Sequence, residues 1–253
     1  SHVPTRKSGE YQTVNLAADY MRQLNRDWVL IGAAALEAQH VVTFDALNHI
    51  GGTGTLKLHR KFGLGPYAPV LELSSALAIY QFDETSRSGW QFTGGIGIAK
   101  RFTDMLRLSA RAAAVEYLAR RELYDASSRE LVLEGDWDIT DRWRLSLGGG
   151  RRWGEYLANA AWKIWAQAID GQVGPVIQAH YRSLPWEVTN TYGPGWVAYR
   201  VRDSHTDLWW AELSPALTDQ TSLALRYEFA RVTNAVGIKY DLSYWTVGVH
   251  HQF

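Results

Sequence analysis

The sequence predicts an all-β protein, a transmembrane antiparallel up-and-down β-barrel of about 12–14 strands. Three observations lead to this prediction. Apolar and polar residues alternate with a period of two along nearly the whole chain, which is typical of strands with one apolar face. Short turns that contain Asp alternate with longer connections, and aromatic residues lie at the ends of the apolar face. Because no linker interrupts the alternation, we expect residues 1–253 to form a single domain.

Thirteen alternating runs follow one another along the chain. They cover residues 11–24, 28–44, 53–62, 70–82, 90–102, 105–121, 130–139, 143–154, 160–169, 174–189, 196–216, 221–233 and 238–253. Bacterial single-chain barrels have even strand numbers, so one of these runs is not a strand or one strand is missing.

Residues 1–27 contain the ambiguous element. The stretch VNLAADYMRQLN has Leu16, Tyr20 and Leu24 at a helical spacing, and a helix capped by Asn15 would lie in the lumen of a twelve-stranded barrel. The same stretch has Val14, Leu16, Ala18 and Tyr20 at a strand spacing. In that case it is a strand of a fourteen-stranded barrel whose first strand lies upstream of the printed sequence, and we favour this second interpretation.

A transmembrane helix is not expected anywhere in the chain. Such a helix needs roughly 18 consecutive apolar residues. The best candidate, WVLIGAAALEAQHVV, is interrupted by Glu37, Gln39 and His40. Its even positions, such as Leu30 and Leu36, are apolar, so the stretch predicts a strand instead.

Turn lengths predict which rim of the barrel faces which compartment. Short links at Asn25, Thr103, Thr140 and Thr218 lie between alternating runs, and the Asp residues beside them favour tight turns. Longer links lie near Asn48, Ser86, Ser127 and Pro194. Transmembrane β-barrels have short periplasmic turns and longer extracellular loops, so we expect the short links in the periplasm.

The polar face is expected to line an aqueous lumen, because it mixes charges of both signs with small residues. A soluble barrel would instead have its apolar face inside. The residues predicted to line the lumen or pore are Lys57, His59, Glu72, Arg101, Arg107, Arg111, Glu134, Asp136, Arg144, Lys163, Arg226 and Glu228. The aromatic residues predicted to lie at the membrane interface are Trp28, Phe44, Phe62, Trp90, Phe102, Trp137 and Trp143.

The final strand, WTVGVHHQF, carries the most specific signal. Trp245, Val247 and Val249 lie on one face of it, and Phe253 is the last residue. On this strand and on the alternation, the chain resembles the bacterial outer-membrane β-barrel class. The resemblance implies that these four residues form an assembly signal for the barrel-insertion machinery. It also implies an outer-membrane location and contact with membrane lipids.

A long hairpin is predicted between residues 174–192 and 196–217. Its arms are about 20 residues each, whereas a transmembrane strand needs roughly 9 to 11, so we expect it to project from the membrane. Its tip, TYGPGW, presents Tyr192 and Trp196 beside a tight turn. We expect these rings to contact an extracellular or envelope protein partner or, alternatively, to lie in the upper aromatic girdle.

An outer-membrane channel with a charge-balanced lumen is the function that the sequence favours. The alternative is a membrane anchor or the barrel component of an envelope export or surface-assembly complex. A lipid hydrolase or protease is less favoured, because no His has an obvious nucleophile beside it. His59 and His180 are interpreted as lumen residues, and His205 with its Asp neighbours in RDSHTD is the strongest remaining cluster.

The glycine-rich stretches lack the context of a phosphate-binding loop, so we expect no enzymatic activity, cofactor or metal. Because the 26 basic residues balance the 26 acidic ones, we expect no nucleic-acid partner, and the absence of Cys excludes thiolate chemistry.

Overall fold

The computed structural model describes residues 10–171 and 173–251, and β-strands dominate it. The strands are β1 Tyr11–Gln23, β2 Trp28–Val41, β3 His49–Lys61, β4 Val70–Phe82, β5 Gly89–Arg101, β6 Leu106–Ala119, β7 Ala126–Thr140, β8 Trp143–Ala161, β9 Trp186–Thr189, β10 Trp196–Pro215, β11 Thr221–Thr233 and β12 Lys239–His251. The helices are α1 Trp162–Ile169 and α2 Pro175–Ser183. No helix in the described residues is both long and apolar enough to cross a membrane.

Eleven strands form one antiparallel meander in the order β1 to β8, β10, β11 and β12. The short strand β9 lies off this path and pairs with β10. The sheet is curled into a half-barrel, and no register joins β1 to β12 within the described residues. The predicted fold class, an all-β up-and-down sheet, is confirmed.

Period-two alternation explains the two faces of the sheet. In β5 the apolar side chains of Trp90, Phe92, Ile96 and Ile98 are all exposed, between 47% and 51%. The residues between them, such as Thr93, are more covered. The apolar face is therefore the outer face of the curl. Each meander strand has 13 residues or more, which exceeds the roughly 9 to 11 that a membrane requires.

The ambiguous N-terminal element is the strand β1. Leu16 pairs with Leu36 of β2, and Tyr20 pairs with Gly32, so its apolar positions continue the outer face. The alternative of a lumen helix is wrong. The stretch is extended and pairs with β2 at thirteen positions instead.

Two predicted strands, residues 160–169 and 174–189, are wrong. The first is mainly α1, in which Trp165 and Ala168 lie three residues apart on one buried side. The second contains α2, which begins at Pro175, a residue favoured in the first turn of a helix because its missing N–H has no partner there. Only the four residues of β9 remain extended. Alternation over short apolar runs does not separate a strand from a helix.

Strands β8 and β10 extend beyond their neighbours. Their ladder shifts register between Val201 and Ser204, opposite Gly154. Gly154 has φ +145° and Asp203 has φ 52°, and both values are uncommon for residues with a side chain, although Asp tolerates the left-handed region better than most. Beyond this irregularity, residues 155–161 and 196–201 pair only with each other and with β9.

The two rims differ mostly as the turn lengths predicted, and the exception is the link after β3, residues 62–69, which is long but lies at the same rim as the short turns. The links after β1, β5, β7 and β10 are short and lie at one rim, and the end of β12 lies there too, because His251 pairs with Thr221. Longer connections follow β2, β4, β6 and β8 at the other rim. We call these the short-turn rim and the loop rim.

Cysteine labelling on intact cells tests this topology, since the chain has no Cys of its own. A Ser127→Cys variant lies at the loop rim and is expected to react with a membrane-impermeant maleimide. Thr140→Cys, at the short-turn rim, is expected to react only after the outer membrane is permeabilised. The opposite labelling pattern would invert the orientation.

Candidate functional site: the concave face and its mouth

The concave face gathers most residues that were predicted to line the lumen. Cross-strand registers place eleven of the twelve on the polar face of the sheet, namely Lys57, His59, Glu72, Arg101, Arg107, Arg111, Glu134, Asp136, Arg144, Arg226 and Glu228. Glu134 of β7 interacts electrostatically with Arg226 of β11, although β8 and β10 lie between these strands. An interaction across two intervening strands is possible because the sheet is curled and this face lies on the inside.

Two predicted lumen residues lie elsewhere. Lys163 is exposed on α1, and His180 lies on α2, so neither belongs to a strand of the meander. Both errors follow from the two misassigned runs.

A buried carboxylate joins three strands of the concave face. Glu130 is 8% exposed, and its two oxygens accept hydrogen bonds from Arg111 at 2.8 Å and Arg152 at 2.9 Å. Because two guanidinium groups compensate one buried charge, the carboxylate keeps strong partners on both sides. Neither Glu130 nor Arg152 was among the residues predicted to line the lumen. The alternation contained the signal for Glu130, which shares its face with Glu134.

A second cluster surrounds Arg226. Its guanidinium group contacts Glu228 at 3.0 Å and Glu212 at 3.6 Å, and it stacks over the ring of Trp210 at 5.0 Å. Trp210 is a further residue of the concave face that the sequence analysis missed, and it is only 7% exposed.

Two smaller clusters lie nearer the short-turn rim. Glu72 accepts a hydrogen bond from His59 at 2.8 Å and lies 3.7 Å from Lys57. Asp138 pairs with Arg144 at 2.7 Å. Ionised groups on this face are therefore mostly compensated by neighbours across the strands.

The part of the concave face formed by β2 to β5 lacks charges at mid-height. Two neighbouring rungs of the ladder there contain only small or uncharged side chains, namely Ala33, Thr55, Ala76 and Thr93 in one and Ala35, Thr53, Ala78 and Gln91 in the other. The charged groups of β6 to β11 therefore lie on one side of the wall, and these two uncharged rungs of β2 to β5 lie on the other, where the first rung continues to Asp19 of β1.

Gly148 makes room for the ring of Trp210. A Cβ atom built on Gly148 would overlap the Cζ2 and Cε2 atoms of that ring. Absence of a side chain on β8 thus lets the indole lie flat against the strand, where Arg226 covers it.

A Gly148→Ala substitution is expected to destabilise the folded protein by about 1–3 kcal/mol, because the ring or the strand must shift. The free energy of unfolding, measured by urea titration in lipid vesicles with tryptophan fluorescence, checks this value. Gly54→Ala is the matched control, since nothing lies within 4 Å of its added Cβ. Equal destabilisation by both variants would contradict the packing argument.

The mouth at the loop rim is covered by the extended part of the β8–β10 hairpin. We call residues 155–201, with α1, α2 and β9, the lid. Its tip reaches the β2–β3 loop, where the rings of Tyr192 and Phe44 lie 4.8 Å apart. Arg87 of the β4–β5 loop donates to Thr191 at 3.3 Å. The predicted hairpin therefore extends past the neighbouring strands, but it folds onto loops around the rim, and its first arm is mainly α2 rather than a strand.

The loop between β6 and β7 holds the lid most closely. Arg121 pairs with Glu187 at 2.8 Å. The buried Arg200 lies 3.7 Å from Glu122 and donates to the backbone carbonyl of Asp125 at 3.3 Å. Three loops of the rim therefore have direct polar or ring contacts with the lid.

The lid has its own hydrophobic core. Trp165 of α1 and Tyr181 of α2 pack on Val197, Tyr199 and Val201 of the extended strand. Burial raises the pKa of the Tyr181 and Tyr199 phenols well above the usual value, so both remain neutral.

Two polar groups mark the boundary of this core. The hydroxyl groups of Tyr181 and of Tyr240, on β12, hydrogen-bond at 2.8 Å, which ties the lid to the last strand. Burial lowers the pKa of His180, although Asp203 opposes this effect, so the neutral imidazole is favoured.

The tip aromatics are half-buried. Tyr192 packs on Trp196 at 5.4 Å as well as on Phe44. Phe44, predicted to lie in the girdle, is instead a loop residue under the lid. A role of Tyr192 and Trp196 in partner contact remains a prediction.

The outer face carries an aromatic and basic border at the short-turn rim. Phe62, Phe102, Trp137 and Trp143 are exposed there. Arg60 lies over the rings of Trp28 and Phe62. Rings and cations of this kind suit the interface between hydrocarbon and water.

The His205 cluster lies on the outer face rather than in a cleft. His205 is 4.0 Å from Asp207, whose other oxygen accepts a hydrogen bond from Arg151 at 2.6 Å. Within the part of the chain that the structure describes, no group of three or more His, Asp or Glu residues could hold a metal ion.

The predicted assembly signal lies partly outside the described residues. Trp245, Val247 and Val249 share the outer face of β12 and are 67–69% exposed. Phe253 is not among the described residues. Recognition by the insertion machinery remains a prediction.

These features define the class of the protein. Antiparallel meander strands of at least 13 residues, an exposed apolar outer face, a charged concave face and one rim of short turns define a transmembrane β-barrel protein of the outer-membrane type.

Comparison with solved structures finds similar chains among outer-membrane transport proteins. The NanC porin is 8% identical over 97% of both chains, with a TM-score of 0.49. The KdgM porin is 10% identical over 96% of this chain and 99% of its own, with a TM-score of 0.42. The toluene transporter TodX of Pseudomonas putida is 10% identical over 96% and 78%, with a TM-score of 0.46. No family model and no curated protein matches the sequence.

Proposed function

We propose that the protein is an outer-membrane channel for small hydrophilic solutes, with a mouth that the lid covers and uncovers. One observation carries the proposal: ionised residues extend along the concave face, while the outer face is apolar. A polar interior inside an apolar surface is the arrangement of water-filled barrels.

Transport is favoured over catalysis by the chemistry of the concave face. Its carboxylates are mostly engaged by Arg, Lys or His, as Glu130 is by Arg111 and Arg152. A general acid or base needs access to substrate, and a buried carboxylate held by two guanidinium groups lacks that access.

One contact of the lid is weak enough to break. The Arg121–Glu187 pair is partly solvated, with the Arg side chain 64% exposed. Exposed ion pairs contribute up to about 1 kcal/mol each. The contacts of Arg200 and Tyr181 are buried, so we expect opening to begin at the Glu187 side of the lid.

Removing the Arg121–Glu187 pair tests gating. A Glu187→Gln variant is expected to raise the fraction of time that the channel is open by about two- to fivefold, the range that one ion pair of this kind supports. Single-channel recordings in planar bilayers measure this fraction.

Glu84→Gln is the control for this experiment. Glu84 lies on a loop at the same rim but accepts its hydrogen bond from Ser86, at 2.8 Å, rather than from the lid. It is expected to behave as the unmodified protein. Equal effects of the two variants would contradict the gating role of the lid.

Reversing charges on the concave face tests the conduction pathway. Replacing both Arg107 and Arg144 by Glu is expected to shift the reversal potential in a KCl gradient toward cation selectivity, because the wall becomes net negative. Conductance with unchanged selectivity would place the pathway elsewhere. A protein that never conducts and unfolds on this change would favour a paired plug, since removing one partner strands the other.

A role in envelope assembly is the alternative proposal. The lid surface is the part of the loop rim that would contact an extracellular or envelope partner, through Tyr192 and Trp196. Deleting Thr189–Ala198 would then abolish capture of that partner and leave the sheet folded.

A further inference from the structure

We propose that the channel favours zwitterionic solutes that carry a carboxylate and an ammonium group, such as amino acids and short peptides. This inference rests on the proposed channel function and names the class of solute. It follows from two ionised groups that the clusters of the concave face leave open.

Arg107 and Glu134 are these open groups. They lie on neighbouring strands and adjacent rungs, because Arg107 pairs in register with Asp136 and Ser109 pairs with Glu134. Neither side chain has a hydrogen bond or an ion pair within residues 10–171 and 173–251. Arg107 is exposed, and Glu134 is half-buried.

The carboxylates beside them already accept hydrogen bonds, which makes this pair distinctive. Glu130 already accepts bonds from Arg111 and Arg152, and Asp136 accepts a hydrogen bond from Ser146 at 2.7 Å. A solute inside the curled sheet can therefore bind a guanidinium group and a carboxylate that lie side by side and have no hydrogen bond to other side chains of the described residues.

A zwitterion matches both groups at once. Its carboxylate can accept from Arg107 while its ammonium group donates to Glu134, and each contact replaces bonds that the solute loses with water. A simple anion attracted by Arg107 is repelled by Glu134 and Asp136, and a simple cation has the reverse problem. Binding of this strength is weak enough to permit release and onward movement.

The uncharged side of the wall leaves room for the rest of the solute. Ala33, Ala76 and Ala78 of β2 and β4 have short side chains, and Thr53 and Thr55 of β3 add only hydroxyl groups. Asp19 of β1 continues the rung of Ala33, and these two rungs carry no other charge between β1 and β5, so side groups of different size can face them.

Uptake into proteoliposomes tests the inference with four small hydrophilic probes. These are glycylglycine as the zwitterion, N-acetylglycine as the anion, ethanolamine as the cation at pH 7 and erythritol as the uncharged solute. Glycylglycine is expected to enter faster than each of the others by about two- to fivefold, the range that one exposed ion pair supports. The unmodified protein and the Glu187→Gln background are both measured.

Two variants separate a recognition role from a structural one. Arg107→Gln is expected to abolish the advantage of glycylglycine and to favour ethanolamine over N-acetylglycine, because Glu134 remains. Glu134→Gln is expected to favour N-acetylglycine instead. Loss of folding would slow all four probes together, whereas these changes have opposite signs. Asp141→Asn and Arg142→Gln, in the turn between β7 and β8, are the charge-matched controls and should retain the preference for glycylglycine.

The outcomes distinguish the two proposals. If erythritol enters but glycylglycine has no advantage, the zwitterion preference is wrong and the channel function stands. If no probe enters in either background, the channel function is wrong, and the inference that rests on it is wrong as well.

Discussion

Backbone hydrogen bonding between neighbouring strands is the constraint on which the rest of the structure depends. Hydrocarbon offers no partner for N–H and C=O groups, so each strand that crosses it must be satisfied by the strands beside it. Between neighbouring strands the meander meets this demand with ladders of 9 to 18 paired positions, and β1 pairs with β2 at thirteen. Because a ladder fixes register, it also fixes which side chains share a face. Both the apolar outer surface and the charged concave wall follow from that single requirement.

Charges on the concave wall show how a polar interior stays stable next to a membrane. Burying an isolated carboxylate is costly, and Glu130 avoids most of that cost because Arg111 and Arg152 come from the two neighbouring strands. Such compensation needs no net charge, in agreement with the balanced composition of the chain. Within the described residues, Arg107 and Glu134 lie beside these ion pairs without forming one of their own.

The lid depends on the same ladder but departs from its regular geometry. β8 and β10 continue past their neighbours, and the register shift beside Gly154 redirects their extended ends. Beyond the sheet, the connection between β8 and β10 forms two helices. Their apolar side chains are buried in the core around Trp165, whereas the apolar side chains of the meander face outward. The hydrogen bond between Tyr181 and Tyr240 links that core to β12, so the lid and the wall form one connected structure.

The sequence by itself determined the strands, their two faces and the lengths of their turns, since a period of two is a local property of the chain. Eleven of the thirteen predicted runs are meander strands. The alternation of faces along each strand was enough to place Arg107 and Glu134 on the same face. Only the tertiary structure decided which charges meet, because pairs such as Arg226 and Glu212 depend on register between strands. It also decided that residues 162–169 and 175–183 form helices, which belong to the lid. Short apolar runs fit either secondary structure, and their environment selects between them.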